Sequence, residues 1–74
     1  MKSLEEIIDG IQSREDLDRA MNTARLAAQT AKRKRLRVHL LADKLRCIQA
    51  EKHHRDILRG LRVRQFDIED SLAA

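Results

Sequence analysis

Apolar residues recur along the middle of this chain at Leu17, Met21, Ala24, Ala28 and Ala31, and again at Val38, Leu41, Leu45 and Ile48. The steps are mostly three or four residues, the spacing that holds a stripe on one side of a helix. One cation, Arg35, stands where the stripe calls for an apolar residue, inside the run Lys32-Arg33-Lys34-Arg35. Residues 32–37 contain no Gly, Pro, Asn, Asp or Ser, and each is a good helix former. Local chemistry therefore predicts one long helix from about Arg14 into the mid-fifties, roughly 60 Å at about 1.5 Å per residue. The alternative is a helical hairpin that turns near residues 30–35 and packs the two halves of the stripe together.

Start and stop signals frame this segment. Ser3-Leu4-Glu5-Glu6 reads as a capping box opening a short helix through about Asp9, with Gly10 closing it in a left-handed conformation. Ser13-Arg14-Glu15-Asp16 is a second N-cap followed by first-turn acids. Past Ile48 the stripe calls for Lys52 and Arg55 and fails. A second series opens at Leu58, Leu61, Ile68 and Leu72, rotated by about one residue, which predicts a kink between Gln49 and Gly60. A faint strand-like alternation over Leu61–Ile68 is the competing reading of that stretch.

Composition supports helices and limits the core. Proline is absent from the 74 residues, glycine occurs twice, and Phe66 is the only aromatic residue. A chain of this size buries a marginal core alone. The stripe Leu17, Met21, Ala24, Ala28, Ala31, Val38, Leu41, Leu45 and Ile48 is therefore expected to meet a second copy. Its alanines allow two helix backbones to approach closely. The expectation is an all-α fold: a short N-terminal helix, a long helix or helical hairpin, and a C-terminal helical segment. It forms a single small helical domain, 1–74, in an oligomeric helical bundle, with a homodimer as the simplest form. Cys47 is the only cysteine, so no disulfide forms within one chain. With no secretory or membrane-spanning run, a cytoplasmic location is expected, without membrane association.

Charge changes the picture further. Residues 1–18 carry net −4, residues 19–64 net +11 and residues 65–74 net −3, so the overall +4 hides a strongly basic middle. Lys32, Arg33, Lys34, Arg35 and Arg37, with Arg25 beside them, form a candidate nucleic-acid contact. Dense cations can follow a phosphate backbone, and arginine adds bidentate geometry. Phe66 alone cannot make a platform on which bases stack, so such binding rests on charge and helix shape. An acidic protein partner satisfies the same charges. A protein-interaction module (an adaptor, inhibitor or chaperone) is the alternative to a small regulatory or accessory nucleic-acid binder.

Other chemistry is thin. Cys47, Glu51 and His54 share a helix face but match no zinc spacing, and they read as a half-buried thiol beside polar groups. Leu40–Leu58 lacks the turn residue of a helix-turn-helix. No nucleophile with a base, paired catalytic carboxylates or glycine-rich phosphate loop occurs. The expectation is therefore a non-enzymatic protein with no cofactor, no metal and no small-molecule substrate.

Overall fold

The structure, a computed structural model, describes residues 2–73. It is all-α: α1 (Leu4–Asp9), α2 (Arg14–Arg37), α3 (Leu41–Val63) and α4 (Gln65–Ala73). Helices α2 and α3 form an antiparallel hairpin, and α1 and α4 pack at its open end. The molecule is a rod of 50 × 17 × 17 Å. Among the described residues there is no strand, and no helix is long and apolar enough to cross a membrane.

Both N-terminal start signals operate. The Ser3 hydroxyl accepts the Glu6 N–H at 3.3 Å and donates to the Glu6 carboxylate at 3.4 Å. The Ser13 hydroxyl accepts the Asp16 N–H at 3.2 Å, while Asp16 Oδ2 accepts the Gln12 N–H at 3.1 Å. The first satisfies one amide at the start of α1, the Glu6 carboxylate meeting the Ser3 hydroxyl rather than the Ser3 N–H that the capping box calls for; the second satisfies two, those of Asp16 and Gln12. Gly10 does close α1, but at φ −82° and ψ −7°, in the right-handed region rather than the left-handed one.

The single long helix does not form. Helix α2 stops at Arg37, and Val38 and Leu40 take extended backbone at ψ 145° and 132°. The turn lies at residues 38–40, later than the 30–35 of the hairpin alternative. It carries no glycine or proline, and Leu40 caps α3 without a side-chain hydrogen bond. Tertiary burial, rather than turn chemistry, selects it. Leu17, Ala24, Ala28 and Ala31 of α2 are buried by the same chain, facing the side of α3 that bears Cys47, Ile57 and Leu61.

The two halves of the expected stripe therefore separate. The α2 half, Leu17 to Ala31, is covered within one chain, and Leu17 is 0% exposed. Val38 is half-buried at the turn, while Leu41, Leu45 and Ile48 lie on the outer side of α3. The inner side of α3 is the series Cys47, Glu51, Ile57 and Leu61. These two series run along nearly opposite sides of one helix, which accounts for the apparent loss of phase after Ile48.

The kink expected between Gln49 and Gly60 is absent, because α3 runs through both. The break comes at Arg64, at φ −95° and ψ 3°, and Leu61–Ile68 is helical on either side of it rather than strand-like. Gly60 is a notch instead of a break: a Cβ there would collide with the Leu4 side chain. The core sits at this end of the rod, where Leu17, Ala24, Ile57, Leu61 and Ile68 form one cluster sealed by α1 and Leu72.

Candidate nucleic-acid interface

The turn places Lys32, Arg33, Lys34 and Arg37 on the last two turns of α2, all exposed at the closed end of the rod. Lys34 and Arg37, with Arg35, lie where the α2 dipole is negative, so they also stabilise the helix terminus. The hairpin adds two cations distant in sequence from the basic run, Lys44 and Arg46, from the first turns of α3. Arg46 and Lys34 border the same recess beside Val38 and Asp43. Locating the turn correctly would have joined them to the basic run.

Arg35 belongs elsewhere. Its Nε donates to Glu51 Oε2 at 3.0 Å, and Arg55 Nη2 lies 2.6 Å from Oε1 without a directed hydrogen bond. Glu51 is 5% exposed. Side chains on a helix lean toward its N-terminus. In an antiparallel pair Arg35 leans away from the turn and Glu51 leans toward it, so they meet across several residues of register. The cation in the α2 stripe is therefore the partner of a buried carboxylate rather than part of the exposed tip.

Arg25 is exposed about two turns further down α2, and its Nη2 donates to Asn22 Oδ1 at 2.6 Å. It borders a shallow groove together with Arg62 of α3. Lys52, Arg55, Arg59 and Arg62 follow one another along the outer side of α3 at helical spacing, so cations continue from the tip along one flank.

Ion pairs are distributed unevenly. Arg64 meets Glu5 at 2.7 Å, Arg14 meets Glu69 at 3.8 Å and Arg19 meets Asp16 at 3.7 Å, all toward the open end. Among the described residues, Lys32, Arg33, Lys34, Arg37, Lys44 and Arg46 have no acidic partner. Residues 25–52 hold nine Lys or Arg against two acids, a net +7, and the remainder carries net −3. The same tip exposes Leu36, Leu40 and Leu41, the last at 72%.

The residues of the metal candidate are put to separate uses. Cys47 is a buried packing residue, Glu51 meets the two arginines and His54 faces a groove at the other end. Among the described residues no three His, Cys, Asp or Glu stand together as a metal site. The His53 and His54 rings meet edge-on at 5.3 Å. Burial, then the neighbouring His53, pushes the His54 pKa below its ordinary 6.5.

This geometry defines a class: a helical hairpin with a cationic, leucine-bearing tip and a packed, acid-rich base. Comparison with models of protein families, with curated proteins and with solved structures finds no match, so the site's own chemistry carries the functional reading.

Proposed function

We propose that this chain is a non-enzymatic accessory protein that binds DNA or RNA through its phosphate backbone. Lys32, Arg33, Lys34 and Arg37 make the main contact, Lys44 and Arg46 complete it, and Arg25 extends it along the flank. The observation that carries this reading is the separation of charge. Among the described residues, the cations that meet an acid (Arg14, Arg19, Arg35, Arg55 and Arg64) stand at the base and mid-rod, and none of those at the tip does. Unpaired surface cations in that density are the electrostatic footprint of phosphate recognition. Fluorescence anisotropy with a labelled duplex and a labelled single strand at low salt tests it. Binding is expected for both, and replacing Lys32, Arg33, Lys34 and Arg37 by Gln abolishes it while leaving the helical content unchanged. An intact protein that binds neither probe at low salt removes the proposal.

One observation favours a second reading, a protein-docking module. Leu41, Leu45 and Ile48 form an exposed apolar row at i, i+4 and i+7, the pattern of anchors that engage another helix. They are the part of the expected oligomer seam still open to a second copy or to an acidic partner. Light scattering distinguishes the forms. A dimer that Leu41→Glu with Leu45→Glu converts to monomer supports self-association through this row.

A further inference from the structure

We propose that the groove at the base of the rod is a binding site for a small amphipathic organic anion, a carboxylate with an aliphatic or aromatic tail. The groove encloses about 500 Å³ between α1, α2 and α3, within the range of sites that take small organic ligands. Its origin is a mismatch of side-chain size. Helix α2 presents Ala20, Ala24 and Ala27 toward it, opposite Ile57 of α3, and α1 contributes Ile7. Three alanines at that position leave an apolar trough that larger side chains would fill.

The rim supplies the charge. Lys2 approaches from the N-terminal segment, Arg19 and Asp16 from α2, and His53 and His54 from α3. Among the described residues Asp16 is the only acid lining it, and that carboxylate accepts the Gln12 N–H and pairs with Arg19. An apolar floor below a rim of Lys2, the Asp16-paired Arg19 and two imidazoles carries a net positive charge and is complementary to a tail ending in an anion. The site lies apart from the cationic tip, so it stands or falls independently of nucleic-acid binding. An anion here would favour the protonated His54 imidazole, which burial and the neighbouring His53 otherwise disfavour. Binding is thereby coupled to proton uptake.

The test is an NMR titration of the labelled protein with octanoate, and with octanol as the uncharged control. Octanoate is expected to shift the amides of Ala20, Ala27, His53, His54 and Ile57 saturably. It should bind about tenfold tighter than octanol, and tighter at about pH 6 than at about pH 8. Ala27→Leu fills the trough and should abolish the shifts while retaining or raising thermal stability. His53→Gln with His54→Gln should remove the pH dependence. Shifts confined to Leu36–Ile48, equal affinity for octanol, or unsaturable shifts would each overturn the assignment. So would undiminished binding by a folded Ala27→Leu variant.

Discussion

Glu51 and Arg35 are the residues in which local and tertiary readings differ most. On the sequence, Arg35 is one more cation in a basic run. In the fold it supplies the hydrogen bond of a nearly inaccessible carboxylate, with Arg55 as a second, more exposed charge. Removing one member of such a pair leaves an uncompensated charge, whereas replacing both by apolar residues is often neutral. Arg35→Ala should therefore lower the unfolding free energy by about 1–3 kcal/mol, the retained Arg55 limiting the loss. Arg35→Leu with Glu51→Leu should recover most of it, as measured by urea denaturation. His54 gives a pH signature at the same scale. Its folded-state pKa lies below the unfolded 6.5, so the unfolded chain holds the proton more readily. Stability is then full above 6.5 and declines as pH falls through 6.5 toward the folded pKa. Thermal unfolding of His54→Gln across this window should lack that component of the slope.

At the scale of elements, the hairpin turn and the α1–α3 crossing are the two junctions that set the fold. Leu40 occupies the N-cap of α3, offers no hydrogen bond and is mostly exposed. A hydroxyl there would satisfy an amide at the start of α3. Leu40→Ser should raise stability by about 0.5–1 kcal/mol in the same denaturation assay. A fall instead would show that the leucine packs on something at the tip. Gly60 is the opposite situation. Its missing Cβ admits the end of the Leu4 side chain; an alanine there would need only Leu4 to swing aside, whereas a large side chain would take the space Leu4 fills. Gly60→Leu should undock α1, exposing amides of residues 4–9 to hydrogen exchange and costing about 1–2 kcal/mol from the lost burial of Leu4. The α2–α3 hairpin should persist. The serine N-caps that begin α1 and α2 were legible because a cap is a local interaction. Neither junction was, because the turn has no turn residues and the role of Gly60 depends on a side chain 56 positions away in sequence.

For the molecule as a whole, the governing feature is polarity along the rod. The core and most acids gather at the open end, and the densest group of cations without an acidic partner lies at the turn beside exposed leucines. If the tip binds phosphates, affinity should fall steeply with salt through counterion release. The slope of log K against log salt should be about −0.9 per phosphate contacted. Substituting Lys34 and Arg37 by Gln should make that slope shallower by about 2 units, without changing the preference between sequences. A salt slope unchanged by those substitutions would assign the phosphate contacts to the outer flank of α3.

The sequence by itself determined that this chain is helical, where its first two helices begin, and that its middle is basic. Composition, capping and charge are properties of neighbouring residues, and no packing is needed to read them. Tertiary structure alone decided which apolar rows face inward, that the alanine row is covered by the chain's own third helix, and that Arg35 is turned away from the cationic tip. A stripe repeating every three or four residues reads the same whether its two halves lie on one helix or on two. Only the burial gained by folding back distinguishes them, and that gain rests on contacts between residues far apart in the chain.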